Sequence, residues 1–138
     1  MDEARSDGND VALESATAIA DQVDVLKARR KVLNVYFAPD LERYSVELVL
    51  ATRDAQVYDE ALAAYIRLGA SPRATIALNR AARAHAWLDG RDYVSPEDVH
   101  SMVPDVLRHR LILTYAAQAH GVDADDVISM LLDRMPIP

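Results

Sequence analysis

The stretch GASPRATIALNRAARAHAWLDG, residues 69–90, reads as one helix complete with its punctuation. Ser71 suits the capping position and Pro72 the first helical one, where a missing N–H is no loss. Alanine and leucine, the strongest helix formers, fill the middle. Gly90 marks the stop just past Leu88. One residue breaks the pattern. Arg73 sits in the first turn, where free backbone N–H groups and the macrodipole already make the end positive.

The other helix starts obey the dipole rule. Asp40 and Glu42 follow Pro39, Glu97 and Asp98 follow Pro96, and Asp125 and Asp126 follow Asp123. After Pro72 come Arg73, Ala74 and Thr75, with no acid. At an exposed and empty helix end the mismatch costs about 0.3–1 kcal/mol. Two readings remove it. An anionic ligand reverses the sign, because helix N–H groups and a guanidinium fork suit phosphate oxygens. Alternatively, an acid elsewhere in the fold pairs with Arg73.

Further along the same helix, Arg73, Arg80 and Trp87 are seven apart and share a stripe, with Arg83 beside it. That stripe is either a partner-facing surface or a solvated face with Trp87 packed at its far end. Ala74, Ala77, Leu78, Ala81, His85 and Leu88 form the opposite face, where small side chains permit close helix approach. His85 on this face reads as a hydrogen-bonded structural histidine.

Outward from this helix, the chain predicts a mainly α fold, a small helical bundle. Residues 1–9 read as a disordered tail, and 10–138 as one domain. Apolar residues at 12, 16, 19, 23, 26 and 33 make one helical stripe over 10–33, with Arg30 in the remaining slot. The basic run KARRK at 27–31 suits a helix C-terminus. A helix starts at Pro39 and faces Leu41, Tyr44 and Leu48 inward. Residues 54–68 read as another helical piece, ended by Gly69. Ser95 and Asp98 form a capping box, with Val94 stapled to Val99, and Pro104 interrupts the helix that follows. Asp123 caps a last helix ending near Arg134. LNVYF at 33–37 and RLILTY at 110–115 are strand-like, and predict a short two-stranded ribbon of 33–37 with 110–114.

A length of 138 residues suits one domain, and 51% hydrophobic with 27% charged is globular composition. No run of 18 apolar residues and no signal peptide is visible, so the expectation is a cytoplasmic protein without membrane insertion. The absence of cysteine excludes disulfides and thiolate metal sites. A net charge of −7 argues against nucleic acid as the main partner. No glycine precedes a lysine, so no phosphate-cradling loop is present. QVYDE at 56–60 imitates a Walker B end, but Gln56 breaks its apolar strand. The histidines lack metal spacing, and Ser71 has no local base. The chain carries no catalytic set and no metal site.

Taken together, several stretches resemble the C-terminal lid of MoxR-family AAA+ ATPases. They are YIRLGASPRATIALNRAARAHAWLDGRDYVSPEDVHSMVPDVLRHRLILTY, preceded by VYFAPDLERYSVELVLATR and followed by ADDVISMLLDRMPIP. The resemblance covers roughly residues 20–138, and Asn79 departs from it, since an apolar residue is more usual there. It implies a lid that follows an ATP-binding core absent from this chain, so the chain is expected to be part of a longer ATP hydrolase. It also implies that Arg73 is the sensor-2 residue for the γ-phosphate of ATP, with Ser71 and Pro72 shaping the helix start. Magnesium and most ATP contacts then belong to the core. The implied partners are that core, neighbouring subunits of a hexameric ring, and clients with von Willebrand A-type domains. Such rings act as chaperones that mature or activate partner complexes. The competing reading is a stand-alone helical interaction module docking through Arg80, Arg83 and Trp87.

Overall fold

The helices expected at Pro39, Pro72, Ser95 and Asp123 start at or within one residue of where the sequence predicts them. In the computed structural model, which describes residues 17–138, α1 (Gln22–Leu33) begins at Asp21, whose carboxylate accepts the Asp24 N–H at 2.7 Å. The tail expected at 1–9 and residues 10–16 of the helix expected over 10–33 lie outside the described residues, while 17–21 are not helical, so that helix starts at Gln22 where Asp21 caps it. α2 (Pro39–Ala51) has Pro39 in its first turn. A 3₁₀ turn (Ala55–Val57) leads to α3 (Glu60–Tyr65) and β1 (Ile66–Leu68). α4 (Arg73–Leu88), α5 (Pro96–Leu107), a second 3₁₀ turn (Arg108–Arg110), β2 (Ile112–Leu113), α6 (Tyr115–Ala119) and α7 (Ala124–Arg134) complete the order.

The core lies between α2, α4, α5 and α7. α4 packs chiefly on α5. Its buried residues are Ala74, Leu78, Ala82 and Ala86, spaced by four. The face is therefore rotated from the one expected: Ala82 and Ala86 are inside, while Leu88 is 78% exposed. Val99, Val103 and Leu107 of α5 meet it, and Leu48, Ile128 and Leu131 continue the core. Gly90 ends α4 at φ +78°, donating to the Trp87 carbonyl while Arg91 N–H reaches Ala86. This double closure is the Schellman arrangement that favours glycine.

Four expectations need correction. The ribbon exists and uses Ile112–Leu113, but its antiparallel partner is Ile66–Leu68 rather than 33–37. Thr114 anchors that pairing by donating its N–H to Tyr65 O at 2.9 Å and its hydroxyl to Ala64 O at 2.7 Å. Residues 33–37 instead run beside the α4–α5 connection: Tyr36 N–H donates to Asp92 O and Val94 N–H to Tyr36 O. Val35 and Phe37 thereby face the core. Second, residues 54–68 split into a turn, one short helix and a strand. Third, Pro104 lies inside a continuous α5. It forgoes one backbone bond, while Val103, Val106 and Leu107 stay buried and hold the helix together. Fourth, the stripe on α1 is not buried: Val23, Leu26 and Leu33 are exposed, and α1 rests on the outside of α4 with no other described element packed over it. α6, too short for a periodic signal, was not foreseen.

Candidate functional site

The segment entering α4 is held by the end of α2. Gly69 lies against the backbone of Thr52 and Arg53, so close that a Cβ there would fall 2.1 Å from the Thr52 carbonyl oxygen. Thr52, itself buried, accepts the Ala70 N–H at 2.9 Å and donates to Val49 O at 2.7 Å. Arg53 donates from Nη1 to Ala70 O at 3.2 Å. Helical dihedrals begin at Pro72, and Ser71 Oγ accepts the Arg73 N–H at 3.3 Å.

The first turn of α4 is thus anchored while the side chain of Arg73 is left in the open. Arg73 is exposed, and among the described residues its guanidinium makes no ion pair or hydrogen bond. The acid partner offered as the alternative reading does not appear there. Arg73 lines a surface hollow of about 430 Å³ with Arg53, Arg110, Leu68, Gly69, Ser71 and Ala74. No carboxylate is among these lining residues. Three guanidiniums, a hydroxyl and a helix start suit an oxyanion such as phosphate. The hollow's lining includes no general base, so the chemistry it supports is binding. Sequence reasoning found Arg73 by its place in a first turn. It had no signal for Arg53 or Arg110, which reach the hollow only through the tertiary fold.

The opposite end of α4 is electrically closed. The Asp98 side chain is 1% exposed, and both its oxygens take the Arg91 fork, at 2.6 and 2.7 Å. Ser95 N–H donates to it at 2.7 Å and His85 Nδ1 lies 2.7 Å away. Burial works to raise the Asp98 pKa. Arg91, the Ser95 N–H and His85 outweigh it and hold the carboxyl well below the usual carboxylate range. Arg91 is driven upward in turn by its bond to Asp98, and it also bonds Asp89 and Tyr93 O. The sequence marks Asp98 as a cap and His85 as hydrogen-bonded. Their joining through Arg91 emerges only in the fold.

Of the three residues expected on a docking face, two share a groove and one does not. Arg83 turns inward, donating to Val35 O at 3.0 Å and Glu42 at 3.2 Å, with its guanidinium 5.1 Å from the Phe37 ring centre. Arg80 is exposed and Trp87 is partly buried against the core. Both line a groove of about 650 Å³ against α1. Within QVYDE, Asp59 caps α3 through the Ala61 and Leu62 N–H groups and pairs with Arg134 at 2.6 Å.

Known proteins are similar to this chain in sequence and fold. The AAA lid domain family matches residues 59–131. Chaperone MoxR1 of Mycobacterium tuberculosis is 39% identical over 89% of this chain and 33% of its own length. Protein YeaC of Bacillus subtilis is 32% identical over 91% of this chain and 37% of its own. A solved chain from Cytophaga hutchinsonii, presented as a candidate ATPase, superposes with a TM-score of 0.80 at 44% identity, covering 84% of this chain and 36% of that one. The chain thus spans about a third of the length of these relatives. The family match over more than half of the chain and the MoxR-named relatives show the family: the chain is a lid domain of the MoxR-type AAA+ ATPases.

Proposed function

We propose that this lid senses the nucleotide held by an ATP-binding core, with Arg73 as the sensor-2 residue that meets the γ-phosphate. One observation carries the reading: an exposed guanidinium without an ion partner among the described residues, fixed at the start of a 16-residue helix. Arg53, Arg110 and Ser71 beside it fit a phosphate-bearing ligand. ATP supplies the negative charge, and the core holds most of it together with magnesium. Arg73 draws the lid toward that charge, with a charge-assisted hydrogen bond worth about 1.5–3 kcal/mol. Once water cleaves the bond between the β- and γ-phosphates and the γ-phosphate departs as inorganic phosphate, Arg73 loses its partner and the lid is released. α4 carries the pull into α5 through their shared core, and the Arg91–Asp98 fork keeps the far end rigid. The domain then moves as one body.

In the parent protein this motion serves an ATP-hydrolysing ring, read as a cytoplasmic hexamer. One relative, Chaperone MoxR1, is named as a chaperone. Maturation of partner complexes, with von Willebrand A-type domains among the clients, is the function that fits. The lid alone hydrolyses nothing. The docking-module alternative keeps Arg80 and Trp87 but loses Arg83 to Glu42.

Arg73→Ala in the parent protein, core and lid together, tests the reading. It is expected to lower ATP turnover by about 10- to 150-fold, the range the lost bond implies. Wild-type turnover together with wild-type nucleotide-dependent lid position would overturn it.

A further inference from the structure

The hollow at Arg73 draws its charge from three separate parts of the chain. Arg53 follows α2, Arg73 opens α4, and Arg110 ends the 3₁₀ turn before β2. Five arginines elsewhere find acids, namely Arg43, Arg83, Arg91, Arg108 and Arg134, while Arg29, Arg30, Arg67 and Arg80 form no ion pair among the described residues. Among the described residues, none of the three in the hollow pairs with an acid. The chain has 22 acidic residues against 15 basic ones, yet the lining of this hollow includes no carboxylate. Asp54, adjacent to Arg53 in sequence, lines a neighbouring hollow with Arg67, and Arg53 and Gly69 line both hollows.

The guanidiniums also keep donors in reserve. Arg110 uses Nη1 for the Val106 carbonyl and for His109 Nε2 at 2.7 Å, leaving Nε and Nη2 without a partner among the described residues. Arg53 spends one bond on Ala70 O. A guanidinium has five N–H donors, so the hollow holds more donors than a single carboxylate can satisfy. Forks from different directions suit a ligand with several adjacent oxyanions, a polyphosphate.

We propose that Arg110 is a second direct phosphate ligand beside Arg73. Arg53 positions the wall between them, so the lid grips the polyphosphate of a nucleoside triphosphate with a set of guanidiniums. The proposal rests on the nucleotide-sensing reading but makes its own demand. The experiment measures equilibrium binding of fluorescent ATP and ADP analogues to the parent protein, at low and high salt, with melting temperatures alongside. Arg110→Gln should weaken ATP binding about tenfold and ADP binding less, with a smaller loss at high salt, where exposed charges are screened. Arg110→Lys should recover part of it. Suppose instead that Arg110→Gln keeps the wild-type preference for ATP over ADP, with or without a lower melting temperature. The proposal then fails, and a loss of that preference in Arg73→Ala would leave the sensor reading standing. The converse, ATP affinity lost with Arg110→Gln and untouched by Arg73→Ala, would support Arg110 and remove the sensor role from Arg73.

Discussion

At its C-terminal end α4 is closed by a buried carboxylate whose two oxygens take an Arg91 fork, a histidine and a backbone N–H. At its N-terminal end it presents a guanidinium that touches no acid among the described residues. Both ends carry charge, and solvent decides what that charge can do. A charge taken out of water is very costly unless paired, so Asp98 is committed to structure. A charge left in water costs little while unpaired and keeps its donors for a ligand. One helix thus joins a fixed end to a receptive one.

The largest break in this contrast is expected at the closed end. Asp98→Ala would take the buried partner from Arg91, leaving it the exposed Asp89, and uncap α5, at about 3–5 kcal/mol, the range for a broken buried pair; urea unfolding of the isolated chain measures it. Gly69→Ala attacks the anchor of the open end. Its new methyl meets the Thr52 carbonyl, and overpacking of that kind costs about 1–3 kcal/mol, read as a lower melting temperature. Acid sharpens the comparison further. The folded pKa of Asp98 lies below the ordinary 3.8, so its contribution is complete above that value and drains away as pH falls through the folded one. Melting temperature should decline below about pH 4, and less steeply in Asp98→Asn. The smallest expected change belongs to Arg73→Ala, within about 0.5 kcal/mol of wild type in the same unfolding assay, despite its large effect on turnover. A loss as large as that of Asp98→Ala would erase the distinction between the two ends.

Some of this was legible in residue order. Ser95 and Asp98 lie three apart, as do Asp123 and Asp126, and a capping box needs only that spacing. Other parts were not. Residues 33–37 and 66–68 are both short and β-compatible, and only the placement of Tyr65 and Ala64 against Thr114 chooses between them. Arg83 looked as free as Arg80 because its partners, Val35 and Glu42, are 48 and 41 residues away.

Residue order alone determined where several helices start and stop, that the fold is helical, and that one first turn carries a cation where those of α2, α5 and α7 carry acids. Capping, proline geometry and the macrodipole act within about four residues, so a linear reading captures them. Only the tertiary structure decided which arginines stay open, which strand completes the ribbon, and that Arg53 and Arg110 meet Arg73. Those outcomes depend on packing between segments tens of residues apart, where burial removes some charges from water and leaves others in it.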